Sequence, residues 1–183
     1  MSKKPTQNTA ETETQKAAPA KNKITPLKKL SVKTVCGALK MIDFYKPQLD
    51  AKGVQLVDAK GAGLFEPFER KLCRIAGTAN AVDSGESTYG TWEALLGEFA
   101  ATDYATGEIF VGKSAFIPGA MGEALIAAIG SAQREDAAST LKFSVDIFAV
   151  VSPRDENKYE YIVRPVIESD VRNEAVALLG LAD

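Results

Sequence analysis

The sequence predicts a mainly β domain of five strands with one helix between the third and the fourth, and three observations carry that expectation. Apolar and polar residues alternate with period two in several runs between residues 70 and 168; in 141-LKFSVDIFAVV-151, Leu141, Phe143, Val145, Ile147, Ala149 and Val151 share one face. Short polar connections rich in Gly, Asp and Pro separate the runs, at 83–90, 103–107 and 153–157. One helical period interrupts the series, in 119-GAMGEALIAAIGSAQ-133. With 183 residues, 45% hydrophobic and 25% charged, the chain has the size and composition of one soluble domain with a tail.

Taken in order, residues 1–26 are built from Lys, Thr, Glu, Gln, Ala and Pro, and bury too little to offset the entropy of ordering. A disordered basic arm is expected there, with order beginning near Pro26-Leu27. Val32, Val35, Cys36, Leu39 and Ile42 in 31-SVKTVCGALKMIDFY-45 fall near helical spacing, with Ser31 as N-cap and a short strand as the alternative. Gly53, Gly61 and Gly63 mark a loop or short hairpin. The expected strands are 70–82, broken by Gly77, then 91–102, 108–117, 141–151 and 158–168. Met121, Leu125, Ala128 and Ile129 carry the helix, which Gly130 is expected to cap. Pro165 suggests an edge or late position for the last strand. Residues 169–183 read as a C-terminal helix with Val171, Ala175, Leu178 and Leu179 on its apolar side.

Three meandering strands, a helix and a final hairpin form the element order of an OB-fold barrel, in which the helix plugs one end. In that order and in the lengths of its elements, the stretch 68–168 resembles the OB-fold single-stranded DNA-binding proteins, including small phage-encoded ones with an arm on either side. The resemblance implies a five-stranded OB-like β-barrel over 68–168, a basic segment 27–67 packed on it, and flanking elements at 1–26 and 169–183. It also implies sequence-tolerant binding of single-stranded DNA in replication or recombination, in the cytoplasm (the host's, for a phage protein). The chain's end departs from the pattern. Many single-strand binders finish in an acidic run with a terminal aromatic, and 174-EAVALLGLAD-183 has neither.

An OB barrel binds single strands on the face of its second and third strands, where aromatic rings stack bases and cations follow phosphates. The candidates here are Tyr89, Trp92, Tyr104 and Phe110 with Lys71, Arg74 and Lys113; Phe99 and Phe116 read more simply as core. On an unbulged strand Phe110 and Lys113 point to opposite faces, so register decides between them. Charge is unevenly spread. Residues 1–33 carry a net +6 and residues 75–183 a net −10, so phosphate binding has to draw on the arm and the first segment.

Other chemistries find little support. The chain has no histidine, so a Ser-His-Asp triad is absent and Ser84 and Ser87 have no imidazole to activate them. Cys36 and Cys73 lack the companions of a metal site and read as free thiols. Glu135-Asp136 and Asp155-Glu156 read as solvated charges. No enzymatic activity, cofactor or metal is expected. There is no apolar run long enough to span a bilayer and no secretory leader, so no membrane partner is expected either. The segment 107-GEIFVGKS-114 matches the phosphate-loop pattern G-x-x-x-x-G-K-[ST], but Ile109, Phe110 and Val111 favour a strand and Pro118 would break the required helix. Two alternatives to single-strand binding therefore stand: a virion structural or assembly protein, and a nucleotide-binding protein using 107–114. Self-association or contacts with replication proteins are expected to use the C-terminal helix.

Overall fold

The computed structural model describes residues 24–88 and 90–166. In chain order these form β1 (Ile24–Pro26), α1 (Val32–Cys36), a 3-10 helix (Met41–Phe44), β2 (Tyr45–Pro47), β3 (Phe65–Pro67), β4 (Arg70–Ser87), β5 (Gly90–Asp103), β6 (Ile109–Ala115), α2 (Gly119–Glu135), β7 (Leu141–Ser152) and β8 (Asp155–Pro165). The protein is mainly β, and β4, β5, β6, β7 and β8 occupy the five expected strand positions with α2 between the third and fourth. The expected arm 1–26 and helix 169–183 lie outside the described residues, apart from Ile24–Pro26.

The five strands pair antiparallel in the order β6-β5-β4-β7-β8, that is, third, second, first, fourth and fifth. Closing them into the expected five-stranded barrel would require β6 to pair with β8. Instead β1 lies parallel on the free edge of β6, with Ile24 opposite Ile109 and Pro26 opposite Val111. The Leu27 and Leu30 amides then donate to the Val111 and Ser114 carbonyls, each at 2.8 Å. The hydrogen-bonding groups that a barrel closure would use are thereby taken, and the result is an open six-stranded sheet. Ile24–Pro26, which the sequence assigned to the arm, form strand β1.

One face of this sheet is the core. Ile75, Ala101, Phe110 and Val145 stand in one cross-strand row and are all buried. Val32 and Val35 of α1, Phe44 and Ile129 of α2 cover them. Fully burying a side chain such as Ile75 or Ile147 is worth about 1.5–3 kcal/mol. Gly77 continues β4 rather than breaking it. Its two cross-strand neighbours are Phe99 and Phe143, whose ring centroids lie 5.7 Å apart, and a Cβ at Gly77 would stand 2.7 Å from the Phe99 ring.

Three local expectations need correction. Ser31 does cap α1, forming a capping box with Thr34, but the helix stops after five residues because Gly37 turns the chain with φ 72°. Gly130 does not end α2; the Gln133 side chain donates to the Asn80 and Ser139 carbonyls, tying the last turn to β4. The polar stretch 83–90 is not a turn. Asp83 to Ser87 pair with Gly90 to Ala94 as a two-stranded ribbon, and its polarity reports solvent exposure.

The loop or short hairpin expected around Gly53, Gly61 and Gly63 is present as an antiparallel stem with further turns, and residues 45–67 form a three-lobed unit held by a closed triangle of backbone hydrogen bonds. The Gln48 amide donates to Leu64 O at 3.0 Å, Leu64 to Leu56 O at 2.8 Å, and Leu56 to Gln48 O at 2.8 Å. The β2–β3 pair is the stem, and two tight turns at 50–54 and 58–62 make the other lobes. Both turns arise from one repeat, 49-LDAKGVQL-56 followed by 57-VDAKGAGL-64. In each the aspartate accepts two backbone amides, Asp50 from Lys52 and Val54, and Asp58 from Lys60 and Ala62.

Candidate nucleic-acid interface

On a β-strand alternate residues face opposite ways, so the sheet's second face is written in the residues between the core positions. Its rows read Thr102–Arg74–Asp146–Arg164, then Val111–Ala100–Ala76–Ser144, then Glu98–Thr78–Lys142. The small side chains of the middle row leave a groove of about 1740 Å³ across four strands, bounded by Pro26 and Leu27 on the β6 side and Val166 at the end of β8. No residue of α1 or α2 lines it. Four cations do: Lys28, Arg74, Lys113 and Lys142, against the carboxylate of Glu98. Lys28, Lys113 and Lys142 are exposed and make no ion pair among the described residues.

Beyond Arg74 the groove runs into a polar cluster centred on Asp146. Arg74 Nε and Nη2 donate to its two carboxylate oxygens at 2.8 and 3.1 Å, Lys71 Nζ lies 3.0 Å from Oδ2, and Tyr104 Oη donates to Oδ1 at 2.8 Å. Burial pushes the Asp146 carboxyl up, but hydrogen bonds from Arg74, Tyr104 and Lys71 outweigh it and hold the group below the usual aspartate value. Burial works against the Lys71 charge, which the Tyr104 and Asp146 contacts restore, so its pKa is raised. Burial chiefly raises the Tyr104 hydroxyl. Lys71 Nζ also stands 4.1 Å from the Tyr104 ring centroid, and Arg164 caps Phe148 at 4.5 Å while pairing with Glu69.

The structure thus divides the seven residues singled out from the sequence. Lys71, Arg74 and Tyr104 meet at one end of the groove, and Lys113 stands on its rim. Phe110 is 8% exposed and packs in the core, so it offers no ring to a ligand; Val111 and Lys113, out of phase with it, face outward. Trp92 lies elsewhere. It packs over Gly85 on the ribbon, with Lys29 Nζ 4.0 Å from its ring and Phe116 beside the same ammonium. Ten residues of β5 separate it from Thr102, roughly 33 Å at about 3.3 Å per residue. Tyr89 lies outside the described residues. Sequence reasoning missed Lys28, Lys142, Asp146 and Phe148, although the last three are the off-phase positions of the fourth strand and could have been found there.

The strand expected across the phosphate-loop match is present. Residues 109–115 are the extended strand β6, paired with both β5 and β1, and the next helix starts only at Gly119.

With this geometry in view, one comparison decides the direction of the reading. The chain is similar to the single-stranded DNA-binding protein of Enterobacteria phage PRD1. Identity is 33% over 107 residues, which cover 58% of this chain and 63% of the phage protein, so the chain spans less than two thirds of that relative. No protein-family model matches the chain, and no solved structure does. Among the described residues no helix is long and apolar enough to cross a membrane.

Proposed function

We propose that this protein binds single-stranded DNA along the open face of its sheet, without catalysis or cofactor, as a phage-encoded factor in DNA replication or recombination acting in the host cytoplasm. The observation that carries the reading is the groove itself, a wide channel with a floor of small residues and three lysines unengaged by carboxylates, in a chain similar to a phage single-strand binder. Lys28, Lys113 and Lys142 follow the phosphates. The low floor of Ala76, Ala100 and Ser144 leaves depth for bases, and Tyr104 and Phe148 provide aromatic faces at the Asp146 end once a base displaces the cation resting on each. Hairpins melt by mass action, since only the unpaired strand fits a groove of this kind. The strand order third-second-first-fourth-fifth supports reading the fold as an OB-like barrel opened between its third and fifth strands, with β1 in the gap.

Fluorescence anisotropy with oligo(dT) at several salt concentrations tests this. Log affinity should fall linearly with log salt, by about 0.7 for each phosphate neutralised on a single strand. A Lys113→Glu/Lys142→Glu variant should bind more weakly and with a slope shallower by about 1.4. An unchanged slope in a folded variant would remove the groove from the interface.

A further inference from the structure

Trp92 and Phe116 lie away from the groove, and neither is sealed in the core. Both are half-buried, and Lys29 bridges them, its Nζ 4.0 Å from the Trp92 ring and 5.5 Å from that of Phe116. Trp92 stands opposite Gly85 on the ribbon, so the indole rests against a position that has no side chain. Glu86 and Glu93 belong to the adjoining pairs, with Thr91 and Ser84, and point to the other side of the ribbon. Asp83, paired with Ala94, is the carboxylate left on the Trp92 side. Beside Phe116 opens a hollow of about 210 Å³, lined by Ser31, Val32, Lys33, Phe116, Pro118 and Tyr161. Lys33 and Tyr161 are both exposed. Three aromatic rings and two cations therefore follow one another from Trp92 through Phe116 to Tyr161.

We propose that this patch is a second subsite for the same single strand, which leaves the groove past Lys28 and stacks bases on Trp92 and Phe116. The inference rests on the groove reading above and extends it. Segment 27–30 joins the two sites, held along β6 by the Leu27 and Leu30 amides. Lys28 lines the groove, while Lys29, its neighbour at about 3.8 Å between Cα atoms, reaches the Trp92 ring. A strand that passes Lys28 thus meets the next cation one residue further on, and Lys33 continues the series at the hollow. The chemistry selects a nucleic acid as the occupant. An exposed cation–π contact is weaker than a base–aromatic stack, so a base displaces the Lys29 ammonium from Trp92, and the freed ammonium pairs with the adjoining phosphate. An apolar protein segment on the same patch would bury both lysines without a counter-charge. At about 210 Å³ the hollow is also smaller than pockets that take drug-sized ligands, and suits a single base.

Titration of the full chain at low salt with oligo(dT) of about 4 to 16 nucleotides, the range of site sizes for such domains, separates this inference from the groove reading. Anisotropy of the labelled oligomer reports binding, and the fluorescence of the one tryptophan reports contact with Trp92. The shortest oligomers should bind without quenching Trp92, and quenching should set in once the oligomer outgrows the groove. Trp92→Ala should cut the affinity gained between the shortest and the longest oligomers by roughly five- to 150-fold, the loss of one base–aromatic stack. Trp92→Phe, which keeps a ring and serves if the alanine variant is unstable, should retain most of that gain. Binding at all lengths with Trp92 unquenched, or a gain with length that Trp92→Ala leaves intact, would overturn the second subsite while the groove reading stands. Absence of binding at every length would overturn both.

Discussion

Arg74 and Asp146 stand directly opposite each other on β4 and β7, 72 positions apart in the sequence, and meet in a two-point ion pair of 2.8 and 3.1 Å. The same carboxylate accepts Tyr104 and pairs with Lys71, so it fixes three of the side chains at the end of the groove and offsets part of their charge. Lys71 and Arg74 consequently hold position there, while Lys28, Lys113 and Lys142 make no ion pair among the described residues.

This gives Asp146→Asn two measurable consequences. The folded protein holds the carboxyl below its ordinary value of 3.8, so its contribution to stability is complete above that value and is lost as pH falls through the folded one. Between about pH 6 and pH 2.5 the variant's melting temperature should drop by fewer degrees than wild type's. Releasing Lys71 and Arg74 from a carboxylate should also strengthen oligo(dT) binding and steepen its salt slope at neutral pH.

Phe110→Ala separates core from interface. Truncating a buried phenylalanine costs about 3–5 kcal/mol, which denaturant unfolding will register as a lower midpoint. Affinity for oligo(dT), corrected for the unfolded fraction, should be unchanged.

Trp92 is the chain's one tryptophan, so intrinsic fluorescence reports its packing directly. A Cβ at Gly85 would stand 2.7 Å from its ring. Gly85→Ala should push the indole off the ribbon and shift its emission to the red. Lys29→Met should remove a cation–π contact worth about 0.5–1 kcal/mol and destabilise by a similar amount, read in the same melt.

The two thiols should differ in reactivity. Cys73 is fully buried, and its contact with Cys36 together with burial raises its pKa, whereas Cys36 is half-buried at the end of α1. Brief alkylation of the native protein followed by mass spectrometry should give one adduct, on Cys36; unfolding in denaturant should expose the second.

The sequence carried the local code well. Alternation in 141–151 located a strand and both its faces, Ser31 announced a helix start, and 103-DYATG-107 a turn, which Asp103 closes by accepting the Ala105 amide and the Thr106 hydroxyl. What it did not carry was pairing between distant segments. Nothing in Ile24–Pro26 says that it will lie on β6, and that contact is what leaves the sheet open. The polar ribbon at 83–87 looked like a turn because no hydrophobic face marks a strand exposed on both sides. The DAKG repeat at 50–53 and 58–61 is visible in the letters, yet its closed triangle depends on three segments meeting at Gln48, Leu56 and Leu64.

The central claim, that single-stranded DNA lies along the open face of the sheet, is tested most directly by photocrosslinking to an oligo(dT) carrying 5-iodouracil, with the adducts mapped by mass spectrometry. Adducts should concentrate in peptides spanning 98–104, 109–115 and 141–148, and Tyr104 and Phe148 should be prominent among them. Adducts confined to the ribbon around Trp92 or to residues 45–67, with the sheet face unlabelled, would contradict it.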